Sequence, residues 1–200
     1  MLLEDKQPFT LKKHNYNGVF ALIIINLVVF IADHVLRIGL IQYLYLNLAS
    51  PSWYQFFTAM FCHANWAHIS GNLFFLYIFG KLVEEEEGVI GVVGSYLICG
   101  LGASIMSWLF HAGGASYSLG ASGAVFGLFV VSVLIKLSWQ WRRILEVLIL
   151  GQFVVERLLF EFRQTGVQDG VDRVAHIGGA LVGVALIIVL MRLEPEKRLR

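Results

Sequence analysis

Three short segments of this chain place polar, reactive side chains among small residues, inside text that is otherwise strongly apolar. In SLGASGAVFGL (residues 118–128), Ser122 stands between Gly120 and Gly123, with Gly127 one helical turn on. In AHIGGALVG (175–183), His176 precedes Gly179 and Gly183, which are spaced so that a neighbouring helix can approach closely. In CHANWAHISGN (62–72), His68 and Asn72 are one turn apart and share a helix face, and His63 lies just ahead of them.

A serine hydroxyl is a weak nucleophile until a base takes its proton, and a neutral imidazole near its own pKa suits that task. Ser122 and His176 are therefore a candidate nucleophile and base. Acyl transfer also needs donors for the developing oxyanion. The Ser122 N–H, the His68 imidazole and the Asn72 amide are of the right type. Each segment also has an ordinary reading. Small residues pack membrane helices, a histidine at a helix start donates a structural hydrogen bond, and a His–Asn pair bonds across helices. The three segments together favour the chemical reading. Asp172 lies one turn before His176, in a stretch that reads as a wet loop. It is taken as a solvated charge, which leaves a Ser–His dyad with no third member.

The surroundings of these residues must be helical and membrane-embedded. Of 200 residues, 58% are hydrophobic and only 14% charged, and the mean hydropathy is +0.72. Soluble domains carry about 25% charge, and a chain this apolar cannot stay disordered. A net charge of +1 offers nothing to nucleic acid. Crossing a hydrocarbon core takes about 20 mostly apolar residues. Six runs approach that length, at 18–36, 68–83, 89–110, 122–137, 144–160 and 174–193. The fourth offers only about 24 Å of helix, so it is expected to begin below the outer surface, with Ser122 exposed to the positive end of its dipole.

An even number of spans puts both termini on one side. That side collects Lys6, Lys12, Lys13, Lys81, Lys136, Arg142, Arg143, Arg192, Lys197, Arg198 and Arg200. Arg37, Arg157, Arg163 and Arg173 remain on the other. The positive-inside rule makes the first side cytoplasmic. The expected organisation is a cytoplasmic segment (1–17), a six-span domain (18–193) and a cytoplasmic tail (194–200). The first 17 residues lack the features of a signal or transit peptide. No internal repeat suggests a transporter built from two related halves. HExxH, G-x-G-D and Walker-type motifs are absent. No metal, nucleotide or other cofactor is expected. Cys62 and Cys99 support no argument.

With these motifs in view, the chain resembles the rhomboid intramembrane serine proteases from about Asn17 to Leu193. GASG matches that family's nucleophile motif, AHIGGALVG its base motif, and HANWAHISGN its His-x-x-x-Asn element in the second span. Glu84 falls where the family often has a glutamate tying helix ends together. The rest of the acidic run at 84–87 reads as a solvated turn. The resemblance implies an all-α six-transmembrane-helix bundle with a wet cavity opening away from the cytoplasm. Ser122 would be its nucleophile and His176 its base and acid, with His68, Asn72, Gly120 and Gly123 supporting the oxyanion. Two departures stand out. Phe126 replaces a tyrosine that commonly stacks on the histidine, and Tyr54–Gln55 replaces the Trp–Arg pair that braces the first loop.

The implied substrates are transmembrane segments of membrane proteins, met in the bilayer and locally unwound at the scissile bond. Phe153, Phe160 and Phe162, with the loop at 161–173, are candidates for a gate, and read equally as lipid-facing aromatics and a surface loop. FFLYIFGKLVEEEEG and RILEVLILGQFVVE are similar to the cyanobacterial and plastid branch. This favours a bacterial plasma or thylakoid membrane, with the plastid inner membrane as the other location. The competing functional reading is a catalytically silent relative that binds membrane clients.

Overall fold

A computed structural model describes residues 16–136, 141–163 and 170–193. The expected terminal segments apart from Tyr16 and Asn17, the basic residues within them and residues 164–169 of the loop at 161–173 lie outside the described residues. The fold is built from helices. α1 (Asn17–Phe30) runs on into a π-helical turn, Ile31–Val35. A connecting region follows, with a 3-10 turn at Ile41–Leu44, strand β1 (Leu46–Asn47), the short α2 (Gln55–Thr58) and a 3-10 turn at Ala59–Phe61. Then come α3 (Trp66–His111), β2 (Tyr117–Ser118), α4 (Ser122–Leu134), α5 (Trp141–Arg163) and α6 (Arg173–Leu193).

α3 contains both the second and the third expected spans. Straight, its 46 residues would extend about 69 Å, twice a hydrocarbon core. Gly88 breaks it, with φ +73° and ψ −174°, a conformation essentially reserved for glycine. The arms at 66–87 and 89–111 are each long enough to span. Asn65 caps the start, its side-chain oxygen accepting from the His68 N–H at 2.9 Å. α1 has no cap of its own. Glu84 supplies it from α3, accepting from the N–H groups of Gly18 (3.0 Å) and Val19 (2.8 Å). Glu84 is therefore buried, whereas Glu85 and Glu86 beside it are exposed. Glu85 accepts from the Tyr16 hydroxyl at 2.6 Å.

α4 is the centre of the bundle. Its 13 residues cover only about 20 Å, and nearly every side chain from Gly123 to Val133 is buried. A helix apolar on all faces belongs inside, and α3 and α6 enclose this one. Four glycines set the α4–α6 seam. A Cβ on Gly179 would collide with the Gly123 carbonyl oxygen, and one on Gly183 would sit 2.8 Å from the Gly127 oxygen. The two main chains touch there, which side chains would prevent. α5 packs more lightly along the edge of α4 and α6.

Among the described residues, three helical stretches are long and apolar enough to cross a membrane, at Asn17–Val35, Trp66–His111 and Arg173–Leu193. α4 is too short to qualify. α5 is 23 residues long but carries several charged residues. Large apolar side chains such as Ile24, Val28, Ile149, Leu181 and Val189 point outward, as lipid-facing positions do.

Gln55 replaces the expected loop brace by different means. It is buried, its Oε1 accepts from the N–H groups of Ser52 (3.0 Å) and Asn47 (3.3 Å), and its Nε2 donates to the Tyr43 carbonyl at 3.0 Å. Tyr45 donates a short hydrogen bond to Asp33, and His34 Nε2–H donates to the Ala64 carbonyl at 3.0 Å. These contacts fasten the connecting region to the end of α1. β1 pairs antiparallel with β2, Leu46 opposite Ser118.

Candidate active site

The chain enters α4 through a strained turn. Gly120 has φ +127°, which L side chains rarely adopt, and its N–H donates to the Ala59 carbonyl at 3.0 Å. Ala121 is the N-cap, its carbonyl accepting from the Val125 N–H at 2.9 Å. Ser122 is therefore the first helical residue. Its N–H has no carbonyl to bond within the helix and lies at the positive end of the helix dipole.

α6 begins one turn before His176. His176 is 7% exposed, and its Nε2 lies 2.8 Å from the Ser122 hydroxyl oxygen. Phe126, one turn along α4, lays its ring against the imidazole, with centroids 4.5 Å apart and planes 11° from parallel. Arg157 of α5 lies over the Phe126 ring at 5.9 Å and over Phe160 at 5.0 Å. Phe153 packs edge-on against Phe129 of α4, and Phe162 is exposed.

His68 approaches from α3. Its Nδ1 accepts from the Ala64 N–H at 3.4 Å, which puts the ring proton on Nε2. That nitrogen is the one facing Gly120. A Cβ built on Gly120 would be 2.8 Å from His68 Nε2 and 3.7 Å from Ser122 Oγ. Both groups thus border the space that the glycine leaves open. Asn72, one turn further along α3, is 7% exposed, and its Nδ2 has no hydrogen-bond partner. A buried, unpaired amide is costly unless something else accepts from it.

His63 acts on the same turn from behind. It is fully buried, and its Nε2 accepts from the Ala121 N–H at 3.5 Å. Its ring meets His68 edge-on at 5.1 Å. Burial first, then the neighbouring His68, push its pKa down to about 3, so the neutral ring is the form that props the turn. Burial holds the Cys62 thiol up at about 12, which keeps it unreactive.

The structure corrects the reading of Asp172 as a solvated charge. Its Oδ1 accepts from the Ala175 N–H at 3.0 Å and so caps α6. Its Oδ2 accepts from the Ser118 hydroxyl at 2.6 Å and, by a short bond, from Ser107. The Asp-x-x-Ala spacing ahead of an apolar run is the ordinary N-cap pattern, and the sequence carried it. A small cavity of about 20 Å³, enough for one water molecule, is lined by Ser104, Ser118, Gly120, Ser122, Asp172 and Ala175.

Comparison with known proteins agrees with this architecture. Residues 50–193 match the Rhomboid domain. The chain is 54% identical over 186 residues to the chloroplastic rhomboid-like protein 11 of Arabidopsis thaliana, covering 88% of this chain and 66% of that one. It is 30% identical over 169 residues to the rhomboid protease AarA of Providencia stuartii, covering 72% and 58%. To the rhomboid-type serine protease 2 of Emericella nidulans it is 31% identical over 149 residues, covering 72% and 28%. The chain thus spans two thirds or less of the length of these relatives. A match over residues 50–193, which contain every element from α2 to α6, places this chain in the rhomboid family.

Proposed function

We propose that this protein is an intramembrane serine endopeptidase, with Ser122 as nucleophile and His176 as base. The observation that carries the reading is the 2.8 Å contact between Ser122 Oγ and His176 Nε2. As Oγ attacks a scissile carbonyl, Nε2 takes its proton. The imidazolium then protonates the departing amine, and in the second half-reaction it removes a proton from the water that hydrolyses the acyl-enzyme. The oxyanion would be met by the Ser122 N–H, by the His68 Nε2–H beside Gly120, and by the unpaired Asn72 amide. Such preorganised donors are worth roughly 3–4 kcal/mol each in the transition state. Gly120 and Gly123 keep the carbonyl's approach and the α6 contact free of side chains. The fungal and bacterial relatives named as proteases support this activity.

The substrates on this reading are transmembrane segments of other membrane proteins, unwound near the cut. Six spans with both termini on the cytoplasmic side would place the Ser122 end of α4 toward the opposite face, within the depth of the bilayer. Similarity to a chloroplastic relative supports a plastid membrane, and a bacterial plasma membrane is the other location on this reading.

The test is labelling of detergent-solubilised protein with a fluorophosphonate, comparing wild type with Ser122→Ala and His176→Ala. Labelling of wild type alone is the expected result. A folded wild type that neither labels nor cleaves a model transmembrane substrate would overturn the reading in favour of a silent, client-binding relative.

A further inference from the structure

We infer that Asp172 is the positioning residue that sets the separation of Ser122 and His176, a role that rests on the peptidase reading above. A helix cap needs one carboxylate oxygen, and Oδ1 already serves the Ala175 N–H at 3.0 Å. The second oxygen is spent on two hydroxyls from other parts of the chain. Ser118 donates to it at 2.6 Å from the end of β2, and Ser107 donates from the second arm of α3. Asp172 therefore ties the start of α6 to the second arm of α3 and the end of β2, 65 and 54 residues earlier in the chain, around the cavity that also borders Ser122.

The connections close on themselves. Ser118 precedes Ser122 by four residues, and Asp172 precedes His176 by four. The His176 N–H donates to the Asp172 carbonyl at 3.2 Å, which locks that spacing as one helical turn. Ser118 is held by β-pairing to Leu46, and Gly120 is held by its bond to the Ala59 carbonyl at 3.0 Å. Ser118–Asp172 and Ser122–His176 are thus opposite sides of one small circuit. A change in the length of the first side is passed to the second, because the segments joining them are fixed. A displacement of about 1 Å between reacting groups lowers a rate by up to about 100-fold. Asp172 performs this task without touching substrate, through Ser118 and the first turn of α6.

This role is tested by the kinetics of fluorophosphonate inactivation of the full chain, separating the maximal inactivation rate from the affinity for the probe, with a melting curve for each variant. Asp172→Ala is expected to lower the maximal rate about 10- to 100-fold and to leave the affinity unchanged. Asp172→Asn retains the cap oxygen, and its amide can donate to hydroxyls that rotate to accept. It is expected to recover the rate to within about threefold of wild type. Ser118→Ala removes one link and leaves the cap, so it tests the circuit even if Asp172→Ala does not fold. It should slow inactivation about tenfold with little change in melting. Wild-type rates in folded Ser118→Ala or Asp172→Ala overturn the inference and leave the peptidase reading intact, as does an Asp172→Asn rate no better than that of Asp172→Ala. A wild type that is never labelled overturns both.

Discussion

The Phe126 ring lies flat on the His176 imidazole, 4.5 Å away and within 11° of parallel. Stacking at this distance fixes the plane in which the imidazole sits, and with it the direction of Nε2 toward Ser122. A ring without a hydroxyl still does this. Phe126→Tyr should therefore leave turnover of a model substrate within about twofold, and Phe126→Ala should lower kcat about tenfold at unchanged KM. Equal loss in both variants would show that the stack is incidental.

Glu84 ties two helices together by capping one from the other. Removing its carboxylate leaves the buried N–H groups of Gly18 and Val19 without acceptors, at a cost of about 1–3 kcal/mol. Glu84→Ala should lower the melting temperature clearly in detergent, whereas Glu85→Ala, at an exposed position, should hardly move it. The two melting curves are the check.

The buried His63 makes stability depend on pH. Its pKa is about 3 in the fold and about 6.5 in the unfolded chain. Between those values the unfolded chain holds a proton that the native protein lacks. Stability is thus full above pH 6.5 and falls by up to about 1.4 kcal/mol per pH unit as the pH drops toward 3. His63→Gln should flatten this part of the profile, measured as melting temperature between pH 4 and pH 7. An unchanged slope would place the effect on other groups.

Glycines in two places should respond in opposite directions to alanine. Gly94 on α3 has nothing within 4 Å of an added Cβ, so Gly94→Ala should stabilise the helix by about 0.5–1 kcal/mol. Gly183→Ala would press a methyl to 2.8 Å from the Gly127 carbonyl oxygen. It should separate α4 from α6 and abolish fluorophosphonate labelling. Unfolding monitored by intrinsic fluorescence, run beside labelling, distinguishes the two cases.

The candidate site residues were legible because their neighbours are unusual. A serine between two glycines, and a histidine leading a GxxxG face, stand out from apolar text, and the structure brings Ser122 and His176 to 2.8 Å. Helical spacing likewise put His68 and Asn72 on one face. Sequence was less informative where a polar group is satisfied by distant partners. Asp172 looked wet because its neighbours in the chain are polar, yet its partners Ser107 and Ser118 come from other elements. Gln55 looked like the loss of a brace, and its three hydrogen bonds appear only once the loop is folded. The single break at Gly88 was hidden too, since periodicity marks two apolar runs without saying that one residue joins them.

The seam between α4 and α6 has a genetic consequence. Opposite Gly179 stands the carbonyl oxygen of Gly123, which belongs to the main chain and is present whatever residue occupies that position. When a substitution crowds a side chain, a smaller neighbour can arise elsewhere and restore the fit. Here no replacement at the facing position can make room. A lesion at Gly179 should therefore yield only true revertants in a selection, and mutational paths through this seam are closed to drift.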